Sequence, residues 1–288
     1  MKQPIVESGS IVTDMNVVLV ARDCEGSLPY TLSLFENWQE TYDCNFNFVF
    51  VENGSKDDTR QLLEKFVEGR TGVVATPDLA DVIEAMPRVM RISEARNKAR
   101  ELVDPAVQWT VIIDSDIYCD PVVLSRFFAH NPTHQNIAMI CAFGTQVMFE
   151  NGEMRFSDHY YDTFAFTTKS TDSFGNTGIS LHYPWCIFSG CLHCETKGDI
   201  EIERLKREGI HDVASAFGGM AIVETSSVLL PQVKWSCRHQ PELSVDGAYT
   251  CEHIDFCRSL ELASGKRIVV ATDCVVHWDG SDATTFPD

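Results

Sequence analysis

Trp109-Thr110-Val111-Ile112-Ile113-Asp114-Ser115-Asp116 decides the fold. The first five residues are apolar or β-branched and read as a buried strand. Two carboxylates follow at once. Working outward, 15–20 (MNVVLV), 46–51 (FNFVFV) and 72–75 read as further strands. A helix is expected over 59–68, with Leu62, Leu63, Phe66 and Val67 as its apolar stripe and residues 55–58 as its caps. Another is expected over 92–102, and Pro121 opens a third over 122–129. Strand–helix alternation of this kind implies an α/β protein with a mostly parallel central sheet flanked by helices. Downstream, 137–148 reads as one or two strands, 158–180 as a long loop over a site, and 200–208 as an exposed helix. Strands at 221–224 and 267–272 flank a helix over 254–264, and the tail after Asp279 reads as loose. No repeat or linker divides the chain, so one domain over 1–288 is expected.

The 288 residues are 44% hydrophobic and 23% charged, an ordinary globular balance. With 23 Lys and Arg against 42 Asp and Glu, the net charge is −19. That opposes binding along a nucleic-acid backbone or on an anionic membrane. A small phosphorylated ligand is still allowed, because a metal ion masks carboxylates locally. No apolar run is long enough for a membrane span, and the first sixteen residues lack a signal-peptide core. A soluble cytoplasmic chain is the expectation. The eleven cysteines are scattered and read as mostly free thiols.

Three segments carry chemistry. Asp114 and Asp116 leave a strand end two residues apart, at the edge where open parallel sheets bind ligands. Both can approach one cation, and oxygen ligands suit Mg2+ or Mn2+ on a diphosphate. A plain turn gives the same letters. Glu52, at the next strand end, offers a carboxylate to a base or ribose, although an Asn53-Gly54 turn with a capping Ser55 explains the segment equally well. Arg91, Arg96 and Lys98 concentrate positive charge in an acidic chain. They read as a solvated helix face, or as Arg96-Asn97 reaching a phosphate or base. Separately, His182, Cys186, Cys191, His193 and Cys194 form a cluster with one C-x-x-C, less than zinc requires. An aromatic acceptor loop fits better there, with Trp185 stacking on a sugar.

In order, VVLVARDCE (17–25), VFVENGSKDDT (49–59), ISEARNKARE (92–101) and WTVIIDSDIYCDP (109–121) resemble nucleotide-sugar glycosyltransferases of the GT-A fold, family 2 type. YTCEHIDFCR (249–258) and the following GKRIVVATDCVVHWDGS look like that family's acidic helix, strand and terminal His. Phe217-Gly218-Gly219-Met220 resembles its acceptor loop. FGGMAIV and CEH also resemble the fungal capsule-associated mannosyltransferases.

The resemblance runs over about 15–281. It implies a nucleotide-sugar half (about 15–130) and an acceptor half (about 131–288). By this likeness Arg22, Glu52, Asp57, Arg96, Asn97, Asp114 and Ser115 would contact the donor. Asp114, Asp116 and His277 would hold Mn2+ or Mg2+, and Trp185, Gly218 and Gly219 would meet the acceptor. Glu252, His253 and Asp255 would be catalytic. His253 stands where inverting members place an aspartate base. Either it or Glu252 is then the base, or the reaction is retaining. A reference pKa of about 6.5 would leave His253 half protonated near neutrality.

The implied activity moves a hexose from GDP-mannose or a UDP-sugar to a glycan hydroxyl. Two rivals stand beside it. One is a haloacid-dehalogenase-type phosphohydrolase with Asp114 as nucleophile and Asp116 as acid, although Tyr118 occupies a place that class gives to Thr or Val. The other is a non-catalytic sugar-binding module.

Overall fold

The computed structural model describes residues 2–77, 85–150, 153–156, 160–162, 164–169, 209–239 and 249–278. The expected helix over 200–208, the loop over 170–180, Trp185, the His182–Cys194 cluster and the tail after Asp279 lie outside these residues.

A small hairpin, β1 (Ile5–Glu7) and β2 (Ser10–Val12), opens the chain. Then come β3 (Asp14–Ala21), α1 (Leu28–Thr41), β4 (Asn45–Glu52), α2 (Thr59–Val67), β5 (Gly72–Ala75), α3 (Arg88–Leu102) and β6 (Trp109–Asp114). They are followed by β7 (Ile117–Tyr118), α4 (Val123–Ala129), β8 (Ile137–Glu150), β9 (Glu153–Phe156), β10 (Thr167–Thr168), β11 (Ile210–Ser215), β12 (Met220–Glu224), α5 (Thr225–Val228), α6 (Glu252–Ser264) and β13 (Arg267–Trp278).

One sheet of eleven strands takes the order β10-β11-β13-β8-β12-β6-β3-β4-β5, with β7 on β13 and β9 on β8. β5, β4, β3 and β6 are mutually parallel, and so are β8 and β13. β12 runs antiparallel between β6 and β8. The carboxyl ends of β4, β3, β6, β8 and β13 therefore share one edge, and β12 begins at that edge.

Alternation in β4 shows how the sequence builds two layers. Phe46, Phe48 and Phe50 face one side and pack with Phe35 and Trp38 of α1 and Phe66 of α2. Phe48 and Phe66 meet edge-on at 5.1 Å. Val49 and Val51 face the other side, in one core with Ala95 and Ala99 of α3. Those alanines lie four residues apart and let the helix approach the sheet. Burial of each large apolar side chain contributes about 1.5–3 kcal/mol.

Several elements differ from the sequence expectation, among them β1, β2, β7, β11 and α5, which were not anticipated. α1 was not anticipated, although Leu28, Thr31, Leu32, Phe35 and Trp38 are spaced for one helix face and are all buried. α3 starts at Arg88 rather than at 92. β13 continues to Trp278 rather than stopping at 272, because a register shift between Ala271 and Val275 absorbs the polar Asp273. Among the described residues no helix is long and apolar enough to cross a membrane.

Candidate active site

At the shared edge β6 ends in Asp114, whose N–H donates to Gly219 O at 2.9 Å. Asp114 and Asp116 are both shifted up from the usual carboxylate range. Desolvation is the main cause for each, and the Asp114 charge adds to the rise at Asp116. Asp162 and Glu252 contribute further negative charge at Asp114, while Arg96 opposes the shift. The Trp278 side chain nearby opposes the rise at Asp116.

Arg96 is 5% exposed and joins these groups. Its Nη2 donates to Asp114 Oδ1 at 2.9 Å. Its Nη1 lies 3.5 Å from Glu252 Oε1 and 3.4 Å from His253 Nδ1. The guanidinium carbon sits 4.7 Å over the Phe217 ring. Arg96 is thus a buried hub that ties β6 to the first turn of α6.

The half-protonated His253 expected from sequence does not hold. The side chain is 2% exposed, and burial with the neighbouring Arg96 charge pushes its pKa well below the ordinary value. Its ring stacks on Phe217 at 4.1 Å and 16°. With Nδ1 accepting from Arg96, the ring proton sits on Nε2, 3.7 Å from Glu252 Oε1. His253 is therefore a neutral, packed neighbour of Glu252.

Other residues expected at the donor make contacts within the protein. Glu52 accepts from the N–H of Ser55 and lies 3.7 Å from Arg60, so its buried carboxylate shapes its own turn. Asp57 accepts from the N–H groups of Glu25 and Thr59 at 3.0 Å each, capping α2 and clipping the loop after β3. Arg22 donates to Asn53 O at 3.0 Å. These contacts lace the two loops together beside the edge. Ser115 accepts from the Thr31 hydroxyl through its carbonyl at 2.9 Å.

Asn97 pairs with both backbone groups of Trp235, at 2.8 and 2.9 Å, so its amide does not face the crevice. Asp255, expected to be catalytic, is held by Arg238 at 2.9 and 3.1 Å. Both side chains fasten the 232–239 segment.

The glycines have a geometric reason. Gly218 and Gly219 have φ of +70° and +84°. A Cβ on Gly218 would lie 2.2 Å from Ala142 O, and one on Gly219 would lie 2.4 Å from Ile117 Cδ1. Gly218 N–H donates to Asp162 Oδ2 at 2.9 Å. Asp162 was not singled out from the sequence, and neither was Arg88, whose charge bears on both Asp114 and Asp116. Asp162 lies within the stretch expected to loop over a site, which was the available signal.

Residues 16–189, more than half of the chain, match the sequence profile of Glycosyl transferase family 2. The chain belongs to this family. No curated protein matches it at comparable stringency. Among solved structures it is similar to S. aureus TarS 1-349, with 14% identity, a TM-score of 0.51, and coverage of 94% of this chain and 62% of that one. Longer TarS gives 15% identity, a TM-score of 0.51, and coverage of 94% and 37%. TarS 1-349 in complex with UDP-GlcNAc gives 14% identity, a TM-score of 0.51, and coverage of 93% and 58%. At such identity the likeness is one of fold, and this chain spans less than two thirds of each of these proteins.

Family 2 membership decides against the phosphohydrolase alternative. The matched region contains Arg96, Asp114, Asp116 and Asp162 but ends before Gly218, Glu252 and His277. Those later residues are tied to the family region by geometry alone.

A divalent cation is implied by the glycosyltransferase fold, and the donor set suits one. Two carboxylates that repel each other in a desolvated crevice favour a hard cation with oxygen ligands. His277 ends β13 beside them, pairing in the backbone with Tyr118 and Thr145. Its Nδ1 lies 2.6 Å from the Thr145 hydroxyl, and burial lowers its pKa, as a neutral ligand requires. The three side chains are not drawn tightly together. Among the described residues, the set of three potential ligands whose atoms lie within 4.8 Å of one another is His130, Asp273 and Cys274.

Proposed function

We propose that this chain is a metal-dependent glycosyltransferase that moves a hexose from a nucleoside-diphosphate sugar to a glycan hydroxyl. The observation that carries the reading is the Asp114–Asp116 pair at the shared strand edge, joined through Arg96 to Glu252. The nucleotide would lie along the laced loops after β3 and β4, and the diphosphate at Asp114 and Asp116. The hexose would point toward the start of β12 and the ends of β8 and β13. Asp114, Asp116 and His277 would hold Mn2+ or Mg2+. The chemistry such an ion supplies is neutralisation of charge on the leaving diphosphate.

Glu252 is the proposed base on the acceptor hydroxyl. It keeps a carboxylate at the start of α6, and His253 and Arg96 orient it. Glu252→Gln should lower transfer by about 10²–10⁴-fold while donor binding survives. A product of retained anomeric configuration contradicts the single-displacement role.

TarS 1-349 has been solved with UDP-GlcNAc, which makes UDP-sugars the first donors to try, and the resemblance to capsule-associated mannosyltransferases adds GDP-mannose to the screen. The deciding experiment is a hydrolysis screen of UDP- and GDP-sugars with Mn2+. Release of nucleoside diphosphate from at least one donor supports the reading. Binding without any release favours the sugar-binding module instead.

A further inference from the structure

Tyr161 and Trp278 lie face to face at the edge of this site. Their ring centroids are 4.6 Å apart and the planes differ by 13°. We propose that this pair is a platform on which a pyranose ring of the substrate stacks, an inference that rests on the glycosyltransferase reading above.

Both rings are held before any ligand arrives. Tyr161 N–H donates to Gly144 O at 2.7 Å. The next residue, Asp162, is fixed by its bond to Gly218 N–H. Trp278 pairs in the backbone with Ile117 and Gln146, on two neighbouring strands. Rigid aromatic surface binds at low entropic cost. Even so, Tyr161 keeps 38% of its surface exposed.

Position and chemistry select the ligand. Trp278 pairs with Ile117, the residue after Asp116, and lies on the side of β6 opposite β4, with β12 and β8 intervening. A nucleobase in the loops after β3 and β4 lies across the Asp pair from these rings, whereas the sugar end of the donor and the acceptor lie on their side. A pyranose has an apolar C–H face and a rim of hydroxyls. The rings offer a flat apolar face, and the Asp116 carboxylate beside them accepts from hydroxyls.

The pyranose has two possible sources, the donor hexose and the acceptor glycan. The test titrates wild type, Tyr161→Phe, Tyr161→Leu and Tyr161→Ala with Mn2+ present. Calorimetry compares UDP-GlcNAc with UDP and GDP-mannose with GDP. Tryptophan fluorescence follows chito- and manno-oligosaccharides. Thermal melts confirm folding, and the leucine variant keeps bulk without an aromatic face.

The leucine and alanine variants should lose about tenfold in affinity for a pyranose ligand, the scale of one aromatic contact, while phenylalanine preserves it. Loss toward the nucleotide sugar with the nucleoside diphosphate unchanged identifies the donor hexose. Loss confined to oligosaccharide identifies the acceptor. Leucine and alanine variants that match wild type in both titrations overturn the platform, as does an equal loss for the nucleoside diphosphate. Wild-type protein that binds neither nucleotide nor nucleotide sugar overturns the glycosyltransferase reading itself, and this inference with it.

Discussion

Arg96 holds Asp114 and Glu252 with one guanidinium, and the Arg96–Glu252 pair is buried on both sides. Removing one partner of a buried pair leaves an uncompensated charge. Arg96→Ala should therefore lower stability by about 3–5 kcal/mol in urea unfolding. Arg96→Lys should recover only part, because an ammonium cannot reproduce the planar fork. A loss below about 1 kcal/mol would show that solvent already screens the hub. His253 gives a separate pH signature. Its unfolded imidazole takes up a proton near pH 6.5, whereas burial and the Arg96 charge hold the folded value well below that. The stability it contributes is fully present above about pH 6.5 and is lost as pH falls toward the folded value. Glu252, facing its Nε2, and the raised carboxylates Asp114, Asp116 and Asp162 are common to wild type and His253→Phe. Unfolding free energies from pH 7 to 5 should thus fall less steeply in His253→Phe, which keeps a ring against Phe217. An unchanged slope would contradict the neutral, buried imidazole.

Helices α3 and α6 work as clamps on the segment between β12 and α6. Asn97 takes both backbone groups of Trp235, Arg100 donates to the carbonyls of Val228 and Leu230, and Asp255 holds Arg238. Asn97→Ala leaves two backbone groups unpaired, at a cost of about 1–3 kcal/mol. Hydrogen exchange at the Trp235 amide should speed up accordingly, and an unchanged rate would show that the clamp is not there. Part of this arrangement was legible. Successive helix residues point about 100° apart; the sequence placed Arg96 and Asn97 together at the donor, but Asn97 turns to Trp235, whereas Glu252 and His253 both reach Arg96. Which side chain turns inward depends on tertiary partners distant in the chain. The α1 stripe of Leu28, Leu32, Phe35 and Trp38 was present in the sequence. The full length of β13 was hidden because its bulge breaks the alternation that marks a strand.

For the whole molecule, β3, β4, β5 and β6 form where the apolar runs around WTVII predict strands and pair in parallel, and the Asp pair falls at their carboxyl edge. Asp162 is different. Its role depends on Gly218, 56 residues away, and on a backbone crossing too close for any Cβ. Nothing local in the sequence announces that. The net charge of −19 is consistent with an edge where carboxylates gather around one arginine and a cation completes the balance. The central claim is that Asp114 and Asp116 bind a nucleotide sugar through a divalent ion. Calorimetric titration of UDP-GlcNAc and GDP-mannose, with and without Mn2+, into wild type and Asp116→Ala tests it most directly. The account predicts Mn2+-dependent binding of at least one donor by wild type, abolished in Asp116→Ala while the variant still melts cooperatively. Donor affinity that is unchanged in Asp116→Ala, or indifferent to Mn2+ in wild type, would contradict it.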